Sequence, residues 1–183
     1  FSFGLIKGNL AGLDSSLVSA IRMAISLAVF LPLFRPAGLD GRRAAAALAI
    51  GGVQFGLMYL AYIYSFRFLQ AYEVALLTIT TPLYVTAAHD LLVRRVNLRY
   101  LASALLAVLG AAAVVATSPQ LPEALAGIAA VQASNLCFAA GQVAYARMLG
   151  PDLRDPPARH FALLYAGAAA VTGLAAAASV DWS

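Results

Sequence analysis

Three stretches of this chain run for 23 residues without a charge: 44–66, between Arg43 and Arg67; 100–122, between Arg99 and Glu123; and 124–146, between Glu123 and Arg147. At a rise of about 1.5 Å per residue, a helix of that length crosses the roughly 30 Å hydrocarbon core of a bilayer. No water is available there, so backbone groups must pair within the spanning element, which leaves helices or a closed barrel. A barrel strand needs only about ten alternating residues, whereas these runs are far longer and do not alternate. The chain therefore reads as an all-α polytopic membrane bundle. Composition agrees, with 62% hydrophobic and 11% charged residues, where a soluble domain carries about a quarter charged. Disorder is excluded by the apolar content, a disulfide scaffold by the single Cys137, and nucleic-acid binding by the scatter of the basic residues.

Apolar runs place helices near 1–12, 15–34, 44–66, 73–93, 100–117, 125–147 and 160–180, six full spans and one truncated. The chain opens on Phe1 inside an apolar segment, with no basic region before it, and reads as part of a longer protein rather than as a signal peptide. The net charge of +4 is a topology signal. Arg35, Arg42, Arg43, Arg94, Arg95, Arg99, Arg147, Arg154 and Arg159 fall on one side; Arg67 faces the other with Asp14, Glu73, Glu123 and Asp181. The positive-inside rule makes loops 35–43, 94–99 and 148–159 cytoplasmic, and Trp182 an interfacial anchor on the far side.

A five-helix unit begins twice, on an aromatic and a glycine three positions on: Phe1 and Gly4, then Phe138 and Gly141. With five spans per unit the second copy enters from the opposite side, the inverted repeat of secondary transporters. Three motifs carry a family resemblance: FSFGLIKGNL in the first span, SAIRMAISLAVF in the second, and GLMYLAYIYSFRFLQAYEVALLTITTPLYV across the third and fourth. With the Gly/Ala-rich fifth span, they resemble the EamA-type branch of the drug/metabolite transporter superfamily. The resemblance implies two inverted five-helix halves in a bacterial inner membrane, here a first repeat over 1–120 and the start of a second over 121–183. It implies efflux of small metabolites, often amino acids or related compounds. QAYEV also resembles exporters of aromatic amino acids, although Thr80 and Thr81 stand where those carry an aromatic.

Several residues are candidates for the substrate pathway. Pro82, inside the fourth predicted span, cannot donate to the carbonyl of Thr78, so a kink should free acceptors that either line a site or are satisfied by Thr78, Thr80 and Thr81. Glu73 opens that span, either stabilised at a helix N-terminus or binding a proton or amine on the face it shares with Thr80 and Tyr84. Arg22 lies about 10 Å into its span, where an arginine costs roughly 2.5–3.5 kcal/mol, and calls for a substrate carboxylate or a structural partner. Lys7 faces the cavity or snorkels outward. Phe55, Tyr59, Tyr62 and Phe66 form an aromatic stripe in which the two tyrosine hydroxyls need partners; Gln54 joins it only if the helix turns that flank inward. Gln132, Asn135 and Gln142 fall within about 80° of arc, bonding to neighbouring helices or lining the pathway. His89 and Asp90 point about 100° apart, a poor metal pair, with Asp90 better matched to Arg94. His160 reads as interfacial. Gly4, Gly8, Gly12, Gly52 and Gly56 build GxxxG patterns, and the nine alanines of 160–180 call for helices beyond the chain.

The leading function is a secondary transporter working by alternating access on a small molecule, without cofactor or metal, a homodimer being an allowed assembly. No Walker A motif is present. A non-catalytic helical partner subunit is the alternative. An intramembrane enzyme ranks below it, for want of a Ser/His, paired-Asp or metal constellation.

Overall fold

The structure, a computed structural model, describes residues 14–34, 40–93, 102–103, 105–106, 109–110, 113, 121–149 and 157–179. Lys7, the predicted helix at 1–12 with its glycine patterns, most of loops 35–43, 94–99 and 148–159, and Trp182 lie outside these residues. The described residues form helices and no strands. They are α1 (Ser15–Phe30), α2 (Gly41–Gly51), α3 (Met58–Ser65), α4 (Ala71–Thr78), α5 (Thr81–Val93), α6 (Leu121–Leu149) and α7 (Pro157–Ser179). The described positions of the predicted fifth span, between 102 and 113, are helical and exposed.

Four segments are long and apolar enough to cross a membrane: Ser15–Leu33, Gly41–Ser65, Ala124–Leu149 and His160–Ser179. The chain is thus a multi-pass helical membrane protein. The fourth predicted span is broken instead. α4 stops at Thr78, the chain turns through Ile79 and Thr80, and α5 starts at Thr81. Pro82 therefore opens a new helix instead of kinking a continuous one, because in the first turn its missing N–H has no intrahelical partner to lose.

α2 and α3 are joined by a π-helical segment, Gly52–Leu57. Its wider i→i+5 turns shift the helical phase and split the predicted aromatic stripe. Tyr59, Tyr62 and Phe66 stay together, with ring centroids 5.5 and 5.2 Å apart. Phe55 turns away and stacks on Tyr165 of α7 at 5.0 Å.

Small residues let α7 come close. A Cβ on Gly51 would collide with the backbone of Leu164, and one on Gly167 with the carbonyl of Leu48. Gly52 and Gly56 face Val171 and Ala168. α7 also packs along α1: the hydroxyls of Ser16 and Ser179 meet at 2.6 Å at one end, and Phe30 lies on Phe161 and Tyr165 at the other. The alanine-rich helix thus packs on α1 and α2 within the chain, while its Leu174 stays 72% exposed. His160, the first residue of its apolar span, is buried, 2% exposed, with its ring edge-on to Tyr145. On the outer face of α1, Ile21, Ile25 and Val29 are exposed at i, i+4 and i+8, as a lipid-facing stripe requires.

Candidate functional site

The break between α4 and α5 builds the polar centre of the bundle. Ending a helix frees carbonyls, and a carbonyl inside lipid must find a donor. Thr81 Oγ1 donates to Thr78 O at 2.6 Å, Thr80 Oγ1 to Leu77 O at 2.7 Å, and Thr78 Oγ1 to Ala75 O at 2.8 Å. At Thr78 O the Thr81 hydroxyl replaces the N–H that Pro82 lacks, while at Leu77 O the Thr80 hydroxyl adds to its own backbone N–H at 3.3 Å.

Asn135 on α6 closes the arrangement. Its Nδ2 is within 3.1 Å of Leu77 O, Thr80 Oγ1 and Gln132 Oε1, and its Oδ1 accepts from Thr81 Oγ1 at 2.9 Å. One buried amide thus holds the broken helix, the turn and α6 together.

Beside this cluster lies a cleft of about 310 Å³ lined by Arg22, Met58, Tyr59, Tyr62, Thr78, Thr81, Ser134, Asn135 and Phe138. Three of the four apolar spans and the broken helix α4/α5 contribute to it. The Arg22 guanidinium sits over the Tyr59 ring, 5.0 Å from its centroid, which favours the cation through the ring quadrupole. Among the described residues no carboxylate comes within ion-pair distance of Arg22. The cleft therefore presents a positive charge, two phenol rings and a hydroxyl-lined wall. That set suits a small organic anion with an apolar body.

Of the sequence candidates, Arg22, Tyr59, Tyr62, Thr81 and Asn135 share this cleft. Thr80 is buried behind them, bonded to Leu77 and Asn135. Glu73 does not line the cleft. It is 5% exposed and closes a capping box at the start of α4, its Oε2 accepting the Gln70 N–H at 2.7 Å. Tyr84 is half-buried on α5, off the cleft.

Gln142 lines a second cleft, of about 500 Å³, with Thr86, His89 and Arg147 towards the arginine-rich end. His89 pairs there with Asp90 at 3.7 Å; Arg94, the expected partner of Asp90, lies outside the described residues. The described residues hold no cluster of three metal-ligating side chains.

Met58, Thr78, Ser134 and Phe138 are cleft residues that the sequence reading did not select. Thr78 and Ser134 neighbour residues it did, so the available signal was their helical spacing from Thr81 and Asn135.

Residues 1–116 match the EamA-like transporter family. A probable biotin transporter of Pseudomonas aeruginosa is 40% identical over 170 residues, covering 92% of this chain and 59% of that protein. The biotin transporter of Salmonella typhimurium is 35% identical over 186 residues, covering 100% of this chain and 59% of that protein. That of Escherichia coli K12 is 34% identical over 178 residues, 96% of this chain and 58% of that protein. The chain thus spans about 59% of the length of the curated relatives it matches. No solved structure matches it.

Proposed function

The chain belongs to the EamA-like transporter family, and from that premise we propose that it forms the substrate-binding part of a secondary transporter for a biotin-type carboxylate. The observation that carries this reading is Arg22. It is a guanidinium in a cleft between membrane helices, set over an aromatic ring and without a carboxylate partner among the described residues. Keeping such a charge at membrane depth costs roughly 2.5–3.5 kcal/mol, which a bound carboxylate offsets while cargo is present. Tyr59, Tyr62, Met58 and Phe138 provide apolar walls for the body of the cargo. The relatives, which are biotin transporters, favour biotin among the organic acids that fit.

In this reading the protein sits in a bacterial inner membrane, with loops 35–43, 94–99 and 148–159 in the cytoplasm. Residues 1–120 form the first repeat and 121–183 begin the second; the family match over 1–116 supports that boundary. The α5/α6 seam then joins the two repeats, and the cleft lies where repeats rock in alternating access. Gln142 and the second cleft extend the pathway towards the cytoplasm, and Lys7 towards the opposite side.

The test is flux of labelled biotin through the intact protein in proteoliposomes, loaded from either side so that uptake and the efflux implied by the family resemblance are separated. Biotin should equilibrate across the membrane. Arg22→Ala should lower the rate at least about tenfold with insertion intact, the loss of one charge-assisted contact. Arg22→Lys should restore only part of it, because lysine keeps the charge but not the planar face over Tyr59. No biotin flux, or unchanged flux in Arg22→Ala, would sink the reading.

A further inference from the structure

Resting on that reading of the cargo, we infer that Gln54 is a specificity-determining residue that hydrogen-bonds the nitrogen-bearing ring of the cargo, at the end of the cleft away from its tyrosines. Accounting for hydrogen bonds leads to it. A buried amide left unpaired is a costly feature that calls for a reason. Asn135, the obvious amide reader in the cleft, is already committed: its amino group faces three acceptors and its oxygen holds Thr81. Gln132 Oε1 accepts from Asn135 and, at 3.4 Å, from Thr80. Gln54 differs from both. It is 3% exposed, yet its Oε1 has no hydrogen-bond partner.

Position makes this vacancy relevant to the cleft. Gln54 lies four residues before Met58, and it packs on Gly141, three residues after Phe138. Met58 and Phe138 both line the cleft, so the Gln54–Gly141 contact sits about one helical turn, roughly 5 Å, beyond its wall. The direction is towards the ends that carry Arg42, Arg43 and Arg147.

Two devices hold the side chain there. The π-helical segment rotates this flank of the helix inward, sending Phe55 to α7 and Gln54 to α6. Gly141 then leaves room for it: a Cβ at 141 would lie 2.7 Å from Gln54 Cγ and 2.9 Å from its Oε1. π turns recur at functional sites, where they re-aim a side chain at the expense of regular helix bonding.

The chemistry selects the ligand group. A primary carboxamide presents an acceptor and a donor side by side. The N–H and C=O edge of a cyclic urea, as in biotin, offers the matching pair. With Arg22 on the carboxylate and Gln54 on the ring, the cargo is gripped at both ends. A plain fatty acid engages only Arg22.

The experiment measures binding of labelled biotin and of labelled octanoate, a carboxylate without the ureido ring, to the intact protein in nanodiscs. Gln54→Leu should weaken biotin about tenfold, the effect of two neutral hydrogen bonds, and leave octanoate within about twofold. Gly141→Ala should give the same selective loss, because it drives the unaltered glutamine out of place. Unchanged biotin affinity in Gln54→Leu overturns the inference. So does an equal loss for both ligands, which would make Gln54 a packing residue. Failure of the wild-type protein to bind biotin overturns the cargo reading and this inference with it, whereas wild-type binding with an indifferent Gln54→Leu overturns the inference alone.

Discussion

The two seams of α6 and α7 bring membrane helices together by opposite means. Along the α5/α6 seam, Thr80, Thr81, Gln132 and Asn135 join a broken helix to an intact one by hydrogen bonds between polar side chains. Along the α2/α7 seam, Gly51, Gly52, Gly56 and Gly167 bring backbones into contact with almost no polar chemistry. Lipid is as apolar as leucine, so helix association must come from close packing or from polar pairing, and this chain uses one of them on each side. The polar seam is nearly saturated and therefore reads as a brace. The glycine helix carries the unpaired Gln54, held at its π turn.

If the glycine seam depends on backbone approach, a single methyl should wreck it. Gly167→Ala places a Cβ against the carbonyl of Leu48, and backbone cannot swing aside as a side chain can. The expected result is loss of most folded, monodisperse protein after detergent extraction, the largest effect anticipated here. Gly173→Ala, on the same helix with nothing within 4 Å of its Cβ position, is the control. It should be neutral, or stabilising by up to about 1 kcal/mol from helix propensity. Equal yields for the two variants would show that α7 does not dock through its glycines.

The polar seam should fail more gently. Asn135→Ala strips Leu77 O of its amide donor and Thr81 Oγ1 of its acceptor, and each hydrogen bond between membrane helices contributes about 0.6 kcal/mol on average. A loss of about 1–3 kcal/mol is expected, read as a lower unfolding midpoint in detergent with insertion preserved. Adding Thr81→Ala to Asn135→Ala should cost less than the sum of the two single changes, since the partners share a bond. Full additivity would mean that the cluster does not act as one unit.

How much of this was legible beforehand follows from which forces leave a periodic trace. The helical class and the spans through 44–66 and 124–146 showed in the uncharged runs, because lipid imposes the same demand on every residue it touches. Arg22, Tyr59, Thr81 and Asn135 stood out as polar groups in apolar surroundings, and the structure brings them to one cleft. The break at Ile79 and Thr80 was read as a kink, because Pro82 alone does not fix whether a helix bends or restarts. The restart is braced from a distance, by Asn135 on α6, 58 residues from Leu77, whose amide reaches Leu77 O. The π turn was invisible for a similar reason. Nothing in GVQFGL departs from α-helical patterning, and its phase shift shows only in where Phe55 and Gln54 point. Glu73 is open in the sequence to a helix-start role or a pathway role, and in the structure it makes the capping contact with Gln70.

The smallest expected effect concerns the rim where neither seam reaches. Asp14 caps α1, its Oδ1 accepting from the Ser16 N–H at 2.8 Å and from the Ser16 hydroxyl, while Oδ2 lies 3.6 Å from Arg67. The Ser16 hydroxyl, the backbone N–H groups and then Arg67 hold its carboxyl below the ordinary value of 3.8, against the opposing effect of desolvation. A lowered folded value means that the stabilisation is fully present above pH of about 4 and is lost as pH falls through the folded pKa. An N-cap contributes about 1 kcal/mol and an exposed ion pair less, so the shift is small. The gap in unfolding midpoint between wild type and Asp14→Ala should stay level from pH 7 to about 4 and narrow below that. Asp14→Asn keeps a capping acceptor without a titrating proton, so its own gap to Asp14→Ala should stay flat throughout. A wild-type gap that widens on acidification would show that the carboxylate at this helix start is destabilising.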